Sequence, residues 1–369
     1  MNIRTTAALL HRAAATGLAL VSLLWTVTMS AQTQIEQYQP GVTPEGAVYF
    51  LPKTAVRVSV LVERTSYQPG DFARYAQRYL RLNDVSQEAS VTYRVVGIEA
   101  VPVGVADTTK AFAVKFNAKT VAANVALATD GRLLAINAEP LAEPPLAVFH
   151  PAAKPAPLNP RQYMNEEILA AGSTAKMAEL TAREIYDLRE NRSLLIKGQA
   201  DFMPSDGAQM QLMLSQIDMQ DHALTQLFQG VTERDTTQHI IIVTPDGNIT
   251  RQPLFRLSQR RGFVDKDDLS GAPYYISVDD ISALPAADES SKAKKKKPVE
   301  TGIYVNVPGK MRVTIYQGAQ QEQCIEMPAA QFGHVELLSG ELFNKRYTTH
   351  LWLNPVSGVV ERLDAEQPK

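Results

Sequence analysis

From Ala55 to Glu63 the chain alternates with a period of two. Val56, Val58, Val60 and Val62 are separated by residues such as Arg57, Ser59 and Glu63. That pattern puts the valines on one face of a strand, and Tyr49 to Leu51 reads as a strand just before it. Pro69-Gly70-Asp71 predicts a turn into a short helix, with Phe72, Tyr75, Ala76 and Tyr79 on one helical face. Strands are then predicted over Val91 to Val105, Ala111 to Phe116 and Val125 to Ile136. The last of these is broken by an Asp130-Gly131 hairpin turn.

The periodicity then changes. Residues 140–160 carry Pro140, Pro144, Pro145, Pro151, Pro155, Pro157 and Pro160. Proline at this density removes ladder donors and fixes φ, so a stiff extended linker is expected. Two helices follow, from about Thr174 to Leu195 and from about Asp206 to Gln229. In the first, Ile185, Leu188 and Arg192 share a face. In the second, Met210, Met213, Ile217, Leu224, Leu227 and Phe228 form a stripe that ends at Gly230. A methionine stripe suits an adaptable binding face. At helical spacing it is first a core face.

The remainder alternates again. His239 to Thr244 and Ile249 to Leu257, around Asp246-Gly247, predict a hairpin. Further strands are expected over Tyr274 to Val278, Gly302 to Val307, Met311 to Tyr316, Gln323 to Met327, His334 to Leu338, Tyr347 to Leu353 and Val359 to Leu363. The lysine-rich stretch 286–298 reads as a disordered, solvated surface loop. The expected class is mainly β with a helical pair (α+β), in two β-rich sandwich-like domains. The division is a signal peptide at 1–31, an N-terminal β-rich domain at 32–139, a Pro-rich linker at 140–160, a helical segment at 161–230 and a C-terminal β-rich domain at 231–369.

Arg4 and Arg12, the apolar run from Ala13 to Trp25, and small residues to Ala31 have the order of a cleavable secretory signal. The apolar run is shorter than the ~20 residues that span a bilayer. No cysteine lies near the expected cut after Ala31, so a lipoprotein is not expected. The protein is expected to be exported, to the periplasm or the periplasmic face of the outer membrane, with no transmembrane segment in the mature chain. With 21% charged residues and a formal charge of −2, the composition gives no support to a nucleic-acid partner. The sole cysteine, Cys324, cannot form an intramolecular disulfide. Its acidic, strand-like surroundings and the tendency of free cysteine to be buried predict an inert, buried strand cysteine.

Candidate chemistry is sparse. Ser173-Thr174-Ala175-Lys176 has the Ser-x-x-Lys spacing that sets an amine beside a nucleophilic hydroxyl over one helical turn. Ser205-Asp206-Gly207 resembles the second motif of that enzyme class. The third requires Lys-Thr-Gly, where this chain has Glu300-Thr301-Gly302. His150, His222, His239, His334 and His350 are scattered, without the paired spacing of helical zinc sites. Asp218, Asp221 and His222 read as a solvated helix face. Asp265, Asp267 and Asp268 form an acidic turn without the glycine and distal glutamate of a calcium loop. No catalytic, cofactor-binding or metal residue is assigned, and no cofactor is expected.

Several runs are more distinctive: Tyr49-Phe50-Leu51-Pro52-Lys53-Thr54, Arg183-Glu184-Ile185-Tyr186-Asp187-Leu188-Arg189-Glu190, Leu224-Thr225-Gln226-Leu227-Phe228-Gln229-Gly230, Asp268-Leu269-Ser270-Gly271 and Gln331-Phe332-Gly333. In this order they resemble an uncharacterised family of exported envelope proteins of Bacteroides-type Gram-negative bacteria, domain of unknown function 4831. The resemblance implies location and shape, and brings no catalytic residue. The expected function is a non-enzymatic binding or structural module that engages an unknown envelope component, protein or polysaccharide. Two alternatives stand beside it. One is a periplasmic hydrolase acting on envelope polymer or peptide. The other is an assembly factor that uses an exposed sheet edge.

Overall fold

The computed structural model describes residues 42–43, 46–114, 124–154, 156–283, 302–343 and 348–366. The expected signal segment and the expected loop at 286–298 lie outside the described residues. The protein is mainly β, with three antiparallel sheets and four α-helices among the described residues. The first sheet is built on β2 (Gly46–Gln68). On one side it pairs with β3 (Ser90–Val114). On the other it pairs with β1 (Val42–Thr43) and β6 (Val231–Val243). The second sheet has the order β11-β10-β9-β7-β8, from Gln320–Ser339, Gly302–Gln317, Ala272–Asp280, Ile249–Ser258 and Gly262–Val264. The third has the order β13-β12-β5-β4, from Val360–Glu366, Thr348–Leu353, Leu133–Ile136 and Val125–Leu127.

The alternating valines act as expected. Val56, Val58, Val60 and Val62 are buried and pack against Phe255, Ile276, Val278, Met311, Val313 and Ile315 of the second sheet. Nearer its start, β2 buries Tyr49 and Leu51 instead, against Leu133, Ile136, Ile303, Val305, Leu351 and Leu353. The inward set thus switches from odd to even numbers. The switch falls at a register shift between Phe50 and Pro52, where two steps along β2 are matched by five along β3. Opposite, β3 bulges over residues 107–110. Asp107 closes that bulge by accepting from the Thr109 amide at 3.0 Å and its hydroxyl at 2.6 Å.

Short predicted strands merge into long ones. The two segments either side of Pro52 are one strand, as are those either side of Pro308 and of Gln331, because bulges absorb the residues that interrupt the alternation. Cys324 is on β11 as expected but is exposed, a correction to its expected burial. It pairs with Thr314 on the outward side, while Ile325 and Met327 face the core.

The helices form a separate core. Phe72, Ala76 and Leu80, around α1 (Ala76–Leu80), pack with Ala178, Ala182, Ile185 and Leu188 of α3 (Thr174–Lys197). Leu224, Leu227 and Phe228 of α4 (Gly207–Gln229) complete it. Between them in sequence lies the short α2 (Glu166–Leu169), which buries Ile168. Full burial of one such side chain stabilises by about 1.5–3 kcal/mol, more than the half-exposed ion pairs Arg189–Asp221 and Arg192–Asp218 that cross between α3 and α4. Only the second half of the methionine stripe is buried. Met210 and Met213 stay outside this core.

Two sheets cross the division drawn along the chain. β6, from the C-terminal segment, pairs with β2 over thirteen residue pairs, and β12 pairs with β5. Residues 140–154 form no helix or strand, yet they are tied down. Glu143 receives a hydrogen bond from Arg132 at 2.8 Å, the Phe149 amide donates to Gln238 at 3.2 Å, and Lys154 pairs with Asp235. The expected linker is a strap laid across the outer face of the first sheet.

Candidate functional site

β6 starts at the end of α4, where Gly230 has φ 76°. A Cβ there would run into the Gln68 carbonyl and the Tyr67 ring, so glycine is required. The turn lays β6 against β2, from Val231 opposite Gln68 to Val243 opposite Val56. Ile241 and Val243 pack on the core between the first two sheets. Ile240 and Ile242 stand on the opposite face, 51% and 59% exposed. The other edge of β6 has no partner strand among the described residues.

The hairpin expected between β6 and β7 does not form, a second correction. β7 crosses into the second sheet and pairs with β9 and β8. β2 offers β6 a longer ladder than a hairpin would. β7 is also irregular: its pairing with β9 slips twice, Arg251 has φ 44°, and Pro253 has no amide hydrogen. β8 covers only Arg256 to Ser258 on its far side. A groove of about 310 Å³ is left between β6 and β7. Ile241, Ile242, Val243, Ile249, Leu254 and Ile276 line it, with Thr244, Gln252, Pro253 and Lys266. None of these is an acid, a histidine, a serine or a cysteine. The groove is therefore suited to holding apolar side chains. The edge beside it presents backbone N–H and C=O groups to an extended segment, each new hydrogen bond contributing about 0.5–1.5 kcal/mol net.

His239 lies next to this edge. Its ring stacks on Phe263 at 4.1 Å and 3°, and burial pulls its pKa below the ordinary imidazole value. Phe263, Phe255 and Tyr274 continue the stack, at 5.0 and 4.4 Å.

The sequence motifs resolve into local structure. Ser173 is the N-cap of α3, and its hydroxyl accepts from the Lys176 amide at 3.2 Å. The Lys176 amine goes to Glu179 at 2.9 Å, away from that hydroxyl. Asp206 caps α4 in the same way, accepting from the Gln209 amide, and Ser205 reaches the Gln209 side chain. Asp218 and Asp221 pair with Arg192 and Arg189. Asp265 and Asp268 accept from backbone amides two residues on, and Asp268 also pairs with Arg261. Among the described residues, no three His, Cys, Asp or Glu side chains converge as a metal-binding group.

Three polar residues that pattern reading did not single out organise the sheets. The Gln331 side chain accepts from the Thr54 amide and donates to the carbonyls of Thr54 and Pro245. Asn306 donates to the carbonyls of Pro52 and Ser357. Arg132 reaches Asp130, Glu143 and the Pro355 carbonyl. Their partners are distant in sequence, so periodicity carries no sign of them. Gln331 belongs to one of the distinctive runs, which was its one signal.

No helix of the described residues is long and apolar enough to cross a membrane. No curated protein and no solved structure matches the chain. A family model, domain of unknown function (DUF4831), matches residues 45–361. That span takes in every distinctive run, the β6 edge and the helical core, and the chain belongs to this family.

Proposed function

We propose that the protein is an exported cell-envelope protein acting as a non-enzymatic binding module, and that it receives an extended polypeptide segment at the free edge of β6. The observation that carries this reading is a strand edge unpaired among the described residues, with exposed Ile240 and Ile242, beside a groove lined by aliphatic and polar side chains. Natural sheets normally blunt such edges with charge, proline or cover. The last residues of β6, from Ile240 to Val243, carry none of these side chains. An added strand would place alternate side chains in the groove and over the two isoleucines. The basic start and apolar run before Ala31 support export.

The test is site-specific photocrosslinking in living cells from positions 240 and 242 of the full-length protein. The expected products are two adducts to one envelope protein, with crosslinked residues two apart in a single extended segment. Their loss in an Ile240→Lys, Ile242→Lys variant would complete the case. Adducts scattered over unrelated proteins, or none at all, would remove the reading. N-terminal sequencing of the periplasmic product tests cleavage after Ala31.

A further inference from the structure

On the outer face of the first sheet, Arg57 stands between Val101 on β3 and Ile242 on β6. Its neighbours along that face of β2, Ala55 and Ser59, are buried, and Arg57 itself is only 6% exposed. Further along that face, the strap residues Ala147, Val148 and Phe149 roof a cavity of about 240 Å³ over Ser59, Leu61, Gly97, Glu99 and Gln238. Ser59 is the next residue on the Arg57 face of β2, so the cavity begins about 7 Å along the strand from Arg57.

Among the described residues, the Arg57 guanidinium makes no hydrogen bond, ion pair or aromatic contact. Every other arginine buried to this degree is engaged: Arg132, at 7% exposure, has three partners. A covered cation without a counter-charge is costly. Its nitrogens are not among the enclosed unsatisfied atoms, which are Thr181 Oγ1, Asn306 Oδ1 and Gln323 Oε1. The head group thus retains a narrow opening while its stem is buried. Glu99, diagonal to it across the sheet, is exposed and forms no ion pair with it.

We infer that Arg57 anchors an anion-binding site beneath the Pro-rich strap, which takes one carboxylate or phosphate group of a ligand. The planar guanidinium supplies two parallel donors to such an oxyanion. The nearest room for the atoms that carry it is the cavity that begins at Ser59, which Glu99 lines and Arg57 does not. The site is independent of strand addition at β6, since a small anion suffices to fill it.

The experiment is thermal unfolding of the full-length mature protein in chloride at constant ionic strength, titrated with inorganic phosphate and, separately, with glutarate. The wild type is expected to show a saturable rise in midpoint with one of the two, which distinguishes the phosphate from the carboxylate source. Arg57→Met is expected to lose that rise while matching or exceeding the wild-type midpoint in chloride alone. Arg57→Lys, which keeps the charge without the fork, serves if the methionine variant does not fold. It is expected to respond more weakly. Equal, non-saturating rises in wild type and variant would overturn the inference, because excluded solutes act that way on any fold. So would no response in the wild type. A rise that appears only on Glu99→Gln would overturn it as well, making Arg57 the partner of Glu99 rather than of a ligand.

Discussion

Ser173 shows how much of a motif is decided by one hydrogen bond. The Ser-x-x-Lys spacing is also the spacing of an N-cap to its third helical residue, and here the hydroxyl accepts from an amide. Ser173→Ala is expected to cost about 1 kcal/mol in urea unfolding, and Ser173→Asp to restore most of it. His239 makes a prediction with a definite sign. Burial lowers its pKa in the fold, so the unfolded chain binds the proton more readily. Its contribution to stability is therefore present above the ordinary imidazole value and is lost as pH falls below it. His239→Phe, which keeps a ring against Phe263, is expected to flatten the stability–pH curve in that window, read from unfolding midpoints across a pH series. Asp107 follows the same rule at lower pH. Burial opposes its charge, but the two Thr109 hydrogen bonds, with Lys110 and Lys53 nearby, outweigh it and hold the pKa below the ordinary carboxylate range. Asp107→Asn is expected to soften acid unfolding, measured as the slope of stability against pH below the ordinary carboxylate value.

At the scale of elements, bulges are the devices that matter. The shift at Phe50 and Pro52 lets one strand serve two cores, by turning Tyr49 and Leu51 to one and Val56 to Val62 to the other. The outer edge of β6 has no partner strand among the described residues, and its exposed isoleucines are not needed for packing. Ile240→Lys with Ile242→Lys is expected to change unfolding stability by less than about 0.5 kcal/mol for each exposed site. The same pair is expected to abolish co-fractionation with the proposed strand donor, measured by pull-down and urea titration of one preparation. A large loss of stability would show instead that β6 needs those side chains to hold its place.

At the scale of the whole molecule, the first sheet is assembled from segments far apart in the chain. Residues 46–139 contain β2 and β3 but lack β6, which extends their sheet, and β7, β9, β10 and β11, which cover the Val56–Val62 face. Expressed alone, this fragment is expected to be unfolded or aggregated, as judged by amide dispersion in NMR. Proteolytic cutting inside the strap of the intact protein is expected to leave the two pieces associated on gel filtration, since thirteen residue pairs join β2 to β6.

The sequence by itself determined that Val56, Val58, Val60 and Val62 face inward, where the two long helices run, and that the protein is mainly β. Those features follow from periods of two and of 3.6 residues and from short-range capping chemistry, which act between near neighbours. The family was legible in five short runs for a related reason: they fill cores, close turns and tie strands. Only the tertiary structure decided that β6 joins β2 rather than β7, that residues 140–154 lie as a strap, that Cys324 faces outward, and that Arg57 is covered without a partner. Antiparallel pairing depends on which edge is free and how long it is, and burial depends on what the rest of the chain lays over a face. Both are settled between residues far apart in sequence, where alternation carries no information.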